Sequence, residues 1–176
     1  MKNLIISAVG SDRSGIVSEI SSIITSHGGN VEESRMSRLG SDFAIIMLVS
    51  VDPDWVESLE VALQSINELT IISKPTKAKE GLEDAQCQID LSGADNEGIV
   101  KILSKYLAGK SINILEMQTH ITNAPVTGTP LFNLKAMTTL PENIKIRGIQ
   151  SDLHQIAQKL GVEITVNQSE PIVETK

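Results

Sequence analysis

The sequence predicts an α+β protein built from two tandem domains, each with the element order β-α-β-β-α-β. The first observation is an internal repeat: residues 10–17 (GSDRSGIV) return 83 positions later as residues 93–100 (GADNEGIV). The same offset matches Ile20, Ile24, Asn30, Val31 and Glu33 with Leu103, Leu107, Asn113, Ile114 and Glu116. The second observation is that short apolar runs alternate with helical spacing in the same order in both copies.

The first copy begins with a strand and a helix. Residues 3–9 form an apolar run rich in Ile, which suits a buried strand. Apolar residues then recur at helical spacing, and they form one face of an amphipathic helix: Ile16, Val17, Ile20, Ile23 and Ile24. The glycine pair at residues 28–29 predicts the end of this helix.

A hairpin, a second helix and a strand complete the first copy. Residues 31–39 and 43–51 predict two strands around a short turn at residues 40–42. Pro53 suits the first turn of a helix, and residues 69–72 predict the closing strand. The buried face of that helix is predicted to hold Val56, Leu59, Leu63 and Ile66.

The second copy predicts the same order. Its elements are strand 86–92, helix 97–108, strands 112–122 and 129–140, helix 148–160 and strand 162–167. The central hairpin is looser, because residues 123–130 (NAPVTGTP) replace the tight turn. Charged residues 76–84 predict an exposed linker, which gives domains at residues 1–75 and 85–168 and a polar tail at residues 169–176. This order predicts the ferredoxin-like arrangement, a four-stranded antiparallel sheet with two helices on one face.

The amino-acid composition excludes several classes of function. The 176 residues include 22 Asp and Glu against 15 Lys and Arg, a net charge of −7, and there is no basic block for direct nucleic-acid binding. The sole cysteine, Cys87, excludes an intramolecular disulfide and cysteine-based metal clusters, and no metal or cofactor is expected. The N-terminal residues do not have the pattern of a signal peptide, and no apolar stretch is long enough to span a bilayer. We therefore expect a cytoplasmic protein with no membrane contact.

The sequence contains no recognisable catalytic motif. The three histidines, His27, His120 and His154, lie on different predicted elements, and no Ser, Cys or carboxylate stands at a recognisable spacing from them. Only four aromatic residues are present, so the central strands lack the stacking platform of RNA-binding members of this architecture. No catalytic residue is predicted.

The repeated Asp-x-x-Gly-Ile-Val motif lies between a predicted strand and a predicted helix. Backbone N–H groups and the helix dipole favour an anion at such a position, and Gly15 and Gly98 remove the side chain where a ligand would approach. Asp12 and Asp95 add a carboxylate for an ammonium group, which together suits a free amino acid. The alternative is an ordinary side-chain N-cap, for which Asp and Ser are common.

With this motif and an asparagine fifteen residues after each glycine, the sequence resembles the ACT domain, a small regulatory module. The resemblance covers residues 1–168 and implies binding of amino acids or similar metabolites, usually at interfaces between paired ACT domains. A chain of two ACT domains and nothing else is similar to the glycine cleavage system transcriptional repressor family. That similarity implies action through a protein partner, a transcriptional activator, without direct DNA binding.

The resemblance places two ligand sites by position. The first comprises Asp12, Arg13, Ser14, Gly15, Ile16, Asn30 and Val31, and the second Asp95, Asn96, Glu97, Gly98, Ile99, Asn113 and Ile114. Glu97 adds a carboxylate that repels an incoming carboxylate, whereas Arg13 attracts one, so we expect the first site to bind better. The family resemblance favours glycine or serine as the ligand.

Three functions stay open at this point: an amino-acid sensor acting on a protein partner, an accessory ACT regulator of another metabolic enzyme, and a small ferredoxin-like enzyme. The enzyme would need converging titratable groups with perturbed pKa values. Exposed sheet edges favour pairing of domains, either within one chain or across a homodimer, and the sequence does not choose between the two.

Overall fold

The computed structural model describes residues 1–77, 85–124 and 127–169, and the chain divides between residues 80 and 81 into a first and a second unit. The first unit contains β1 (Lys2–Ser11), α1 (Ile16–Ser26), β2 (Asn30–Leu39), β3 (Asp42–Val51), a 3-10 turn (Pro53–Trp55), α2 (Val56–Gln64) and β4 (Leu69–Thr76). The second contains β5 (Ala85–Ala94), α3 (Ile99–Gly109), β6 (Ile114–Asn123), β7 (Pro130–Leu140), α4 (Ile146–Leu160) and β8 (Val162–Ser169).

Each unit has one four-stranded antiparallel sheet. The strand orders are β2-β3-β1-β4 and β6-β7-β5-β8, so the first and third strands of each unit are central. Both second strands carry a β-bulge at the same place, between Val31 and Glu33 in β2 and between Ile114 and Glu116 in β6. The predicted pair of tandem ferredoxin-like domains is confirmed.

Each core lies between one sheet face and its two helices. In the first unit, Leu4, Ile6 and Ala8 of β1 pack with the α1 stripe, as alternation along a strand and i, i+4 spacing along a helix require. The core of the second unit has the same plan, with Cys87, Ile89, Leu91, Leu103 and Leu107 among its members. We call the sheet face that points away from the helices the open face.

Some elements differ from prediction at their ends. Pro53 begins a 3-10 turn rather than the α-helix, and the Asp52 side chain caps that turn by accepting the Asp54 N–H at 3.0 Å. Ile66 is buried as expected, but it lies beyond the end of α2. The third helix begins at Ile99 rather than at residue 97, because Gly98 has a left-handed conformation.

Three predicted segments are only partly described. Thr76, placed in the predicted linker, belongs to β4, and the linker residues 78–84 lie outside the described residues. Residues 125–126 of the second hairpin also lie outside them, as do residues 170–176 of the predicted tail. The strand β8 reaches Ser169.

Asp152 joins the two helices of the second unit. Its carboxylate accepts the Tyr106 hydroxyl at 3.1 Å and lies 2.9 Å from Lys110 Nζ, and these two contacts, Lys110 first, hold the pKa of Asp152 below its usual range. A carboxyl with a lowered folded pKa stabilises the fold above its unfolded pKa, near 4, and this stabilisation is lost as the pH falls through the folded pKa.

Asp152→Asn should therefore lower the Tm slightly at neutral pH, and thermal melts should converge with wild type in acid. A Tm difference that persisted unchanged at low pH would contradict this.

Candidate functional site

The turn between β1 and α1 is built around a left-handed glycine, and the second unit repeats it. Gly15 has φ 92° and ψ −6°, and Gly98 has φ 84° and ψ 7°. Only glycine adopts this conformation without a Cβ penalty, which explains its return in both copies. Each glycine occupies the N-cap position, and neither helix has a side-chain cap. The interpretation of Asp12 and Asp95 as ordinary N-caps is therefore wrong.

The glycine caps leave the first helical amides available. The carbonyls of Gly15 and Gly98 accept the first helical bonds from Glu19 N and Ile102 N, each at 2.9 Å. The amides of the first turn have no intrahelical acceptor, and the helix dipole adds a partial positive charge there. Both glycines are exposed, and a Cβ built on either would meet nothing within 4 Å. An anion can reach these amides.

Asp12 is fixed to the neighbouring hairpin. Its backbone N–H donates to Ser41 O at 2.9 Å, and its carboxylate oxygen Oδ2 lies 3.7 Å from Arg38 Nη1. The side chain is still more than a third exposed. These contacts hold the Asp12 carboxylate at the β2–β3 turn, and Asp12 lies three residues before the capping Gly15 in the chain. Ser14 and, in the second unit, Asp95 are exposed at the same turns.

Arg13 is engaged by carboxylates of its own unit. Its Nη2 atom lies 2.5 Å from Glu19 Oε2, and its Nε atom lies 3.9 Å from Glu68 Oε2. These contacts offset the positive charge of Arg13, which the sequence analysis expects to attract the carboxylate of a ligand. The corresponding Asn96 donates from Nδ2 to Leu160 O at 3.0 Å, at the end of α4, and Glu97 is exposed.

Two predicted site residues belong to the cores. Ile16 and Ile99 are each only 2% exposed, and each side chain packs in the apolar cluster of its unit. Both follow the capping glycine directly, so their backbone N–H groups lie at the helix N-terminus while their side chains point inward. A ligand at this turn would contact their backbone only.

The structure does not bring Asn30 and Val31 to the first turn, contrary to the grouping made from the sequence. The residues opposite each other across the sheet show the separation: Gly10 pairs with Phe43, whereas Asn30 pairs with Ser50. Residues 43 and 50 are about 23 Å apart along a strand that rises about 3.3 Å per residue. The cause is α1, whose eleven residues carry the chain about 16 Å to the other end of the sheet.

Asn113 and Ile114 are separated from the second turn in the same way. Ile114 pairs with Thr138, while Gly93, at the turn, pairs with Phe132. Asn113 is held by Thr139, which accepts its N–H at Oγ1 and donates its own N–H to Asn113 O. The distant asparagines thus have structural partners in their own units.

Asn30 also contacts a charged group that the sequence did not single out. Its Nδ2 donates to Glu32 Oε1 at 3.1 Å, and Ser50 Oγ donates to the same oxygen at 2.5 Å. The hydrogen bond from Ser50, followed by that from Asn30, lowers the pKa of Glu32. This small polar cluster lies where β2 begins, at the far end of the sheet from Gly15.

The histidines stay apart. His27 Nδ1 lies 2.8 Å from Ile23 O, and its ring meets Trp55 edge-on at 5.9 Å, while His154 lies beside Gln158. Among residues 1–77, 85–124 and 127–169, no group of three or more His, Cys, Asp or Glu side chains is placed to hold a metal ion. Within the same described ranges, every helix is too short or too polar to cross a membrane.

Comparison with known proteins identifies a family for the first unit. The family model of the ACT domain matches residues 2–72. The first unit therefore carries an ACT domain. A solved structure of an unknown protein from Galdieria sulphuraria has the same fold over 96% of this chain and 99% of its own, with 31% identity and a TM-score of 0.80.

A second relative carries a functional name. The glycine cleavage system transcriptional repressor of Escherichia coli is 23% identical over 168 residues, which are 93% of this chain and 88% of that protein. The likeness spans both units, and it supports a regulatory role for this chain.

Proposed function

We propose that this chain is a non-enzymatic regulatory protein that senses a small amino acid and acts through a protein partner. The observation that carries the proposal is a turn that occurs twice in one chain. In each copy a left-handed glycine caps the helix, the helix has no side-chain cap, and an aspartate precedes the glycine by three residues. A side-chain cap would have satisfied the first helical amides, and neither turn uses one. The ACT domain of the first unit supports the same assignment.

The ligand is proposed to bind by its two charged ends. Its carboxylate accepts hydrogen bonds from the amides that follow Gly15, and its ammonium group lies against the Asp12 carboxylate. Glycine or serine fits this arrangement, since neither brings a side chain that needs an apolar pocket. Asn30 and Val31, or Asn113 and Ile114, are too distant to contact that ligand from the same domain. They would do so only from another ACT domain.

The first turn is the better candidate. Two arginines offset the acids there, because Arg13 pairs with Glu19 and Arg38 lies 3.7 Å from Asp12, whose partly exposed carboxylate can still take an ammonium group. The second turn carries Asp95 and Glu97, and neither of them forms an ion pair among the described residues. Two carboxylates repel the carboxylate of the ligand, so binding there should be weaker.

The proposed output is contact with a transcription factor rather than with DNA. The net charge of −7 opposes direct binding to a phosphate backbone. The Escherichia coli relative is named a repressor of the glycine cleavage system, and we propose that this chain regulates glycine cleavage through an activator protein. A gel shift with operator DNA, with and without the activator, tests this: DNA shifted by the chain alone would overturn it.

Asp12→Ala should abolish or strongly weaken amino-acid binding. Loss of a hydrogen-bonded charge partner costs about 1.5–3 kcal/mol, which is a decrease of about 10- to 100-fold in affinity. Calorimetric titration of the whole chain with glycine, serine and then the other amino acids measures it, with Asp95→Ala reporting on the second turn. Asp54→Ala, an exposed acid in the 3-10 turn, is the matched control and should bind as wild type does.

Two results would contradict the proposed site. Saturable binding that is unchanged in both Asp12→Ala and Asp95→Ala would move the ligand elsewhere on the chain. Absence of binding with every amino acid, checked by thermal shift, would leave the glycine turns without a ligand and favour a purely protein-binding role.

A further inference from the structure

The open face of the first sheet is apolar. Its two central strands present Asn3, Ile5, Ser7 and Val9 from β1 and Ala44, Ile46, Leu48 and Ser50 from β3. None of these side chains is charged, and Ile46 is 46% exposed and Val9 50% exposed. Ile72 of β4 extends the patch and is 64% exposed. A shallow groove runs through it between Ile5, Ile46 and Leu48.

The open face of the second sheet is mostly polar at the same positions. Ser7 pairs with Ile46 in the first sheet, and the equivalent pair in the second is Asp90 with Lys135. The neighbouring positions on that face hold Gln88, Ser92, Asn133, Glu163 and Thr165, and one apolar residue, Met137, lies opposite Gln88. This is the ordinary composition of an antiparallel sheet that has one face in water.

The strand sequences carry the same distinction. The β3 run AIIMLV has no polar residue, and β1 reads LIISAV, whereas β5 reads QCQIDLS and alternates. Strands covered on both faces read as continuous apolar runs, and strands with one solvated face alternate. The first sheet therefore has the sequence of a sheet covered on both faces, although its own helices cover only one.

Charged groups on this face are confined to its two edge strands and to Asp42 at the end of β3. Glu33 and Arg35 project from β2, and they pair with each other at 2.8 Å. Lys74 projects from β4 at the opposite edge. An apolar centre with a polar rim is the composition of a protein interface, and the paired rim charges place no unmatched acid at the centre.

The size of the face suits a pair of identical copies. Four strands spaced about 4.8 Å apart, with about eight residues each, cover about 500 Å². Two such faces in contact would bury about 1,000 Å², which is near the lower limit of a specific interface. Sheets pack face to face in this way at a separation of about 10 Å.

We propose that two copies of this chain associate through the open faces of their first units. Among the described residues, the only other open sheet face is mostly polar, so an apolar face of matching size is available on a second copy. An isologous contact of this kind pairs each face with itself, which is the commonest symmetry of homodimers. The contact lies on the sheet face and is separate from the turns at the helix N-termini.

Ile46→Lys tests the association. Sedimentation equilibrium of the full chain, without added amino acid, should give a mass of twice 19.0 kDa for wild type. A lysine at the centre of the face should weaken dimerisation at least about 30-fold, as loss of a central contact does. Val61→Lys, an exposed valine on α2, is the matched control and should dimerise as wild type does.

Folding of each variant is checked by far-UV circular dichroism and by Trp55 fluorescence. If Ile46→Lys does not fold, Ile72→Lys on the edge strand of the same face replaces it. Wild type that stays monomeric at millimolar concentration would overturn the proposal. A dimer that survives both lysine substitutions would overturn it as well, because the contact would then lie on another surface.

Discussion

Gly10→Ala is expected to lower the free energy of unfolding of the first unit by about 3 kcal/mol. A Cβ built on Gly10 would lie 2.1 Å from Glu68 O and 2.7 Å from Leu69 Cδ2, both far inside van der Waals contact. The nearest atom is a backbone carbonyl, so no side-chain rotation relieves the clash. Gly10 is also held from both sides, because it pairs with Phe43 on β3 and Leu69 on β4.

The measurement uses the single tryptophan of the chain. Trp55 lies in the first unit, so its fluorescence during urea denaturation reports on the unit that contains Gly10. Gly109→Ala in the second unit is the control and is followed by far-UV circular dichroism, because a Cβ there meets nothing within 4 Å and alanine is the better helix former by about 1 kcal/mol. A Gly10→Ala protein with the wild-type midpoint would show that β4 moves aside without cost.

The fold was predictable from the sequence because the apolar residues follow the strand period and the helix period clearly. The α1 stripe of Ile16, Ile20 and Ile24 lies on one helix face, and the same spacing recurs in Ile99, Leu103 and Leu107. The element ends were less predictable. They depend on local backbone conformation, such as the left-handed Gly98, which apolar spacing does not record.

The candidate site was only partly predictable. The capping glycines follow from the repeated motif, since a positive φ demands glycine in both copies. The partners of Arg13 could not be predicted from the motif. Glu19 on α1 and Glu68, just before β4, come close to Arg13 only in the folded unit. The grouping of Asn30 with Asp12 failed for a related reason: the repeat preserves spacing along the chain, but an intervening helix places the two residues at opposite ends of the sheet.

The apolar open face could not be predicted from the sequence, which shows only that β1 and β3 are apolar. The apolar run of β1 predicts a buried strand, which is right for the helix-covered face alone. Only the register, which places Ile5 beside Leu48 and Ser7 beside Ile46, shows that half of each run projects from the other side. Periodicity identifies a strand, whereas pairing identifies what its second face presents.

Ile16→Ala is expected to lower the free energy of unfolding of the first unit by about 2–5 kcal/mol while leaving the ligand contacts in place. The side chain is almost fully buried against the core, and its removal leaves a cavity below the helix N-terminus. Ile99→Ala should cost the second unit a similar amount, because the repeat places Ile99 in the equivalent core position. Val17→Ala, next in the chain and exposed, is the control and should change stability by about 0.5 kcal/mol or less.

Comparison of Ile16→Ala with Asp12→Ala separates packing from recognition at one turn. Trp55 fluorescence in urea should show a large shift for Ile16→Ala and little for Asp12→Ala, whose side chain is partly exposed. Calorimetry well below the Tm should show the reverse, because Ile16 offers the ligand only its backbone N–H. Loss of binding in folded Ile16→Ala would mean that the isoleucine side chain itself shapes the site. The glycine turn would then depend on the core beneath it for its geometry as well as for its stability.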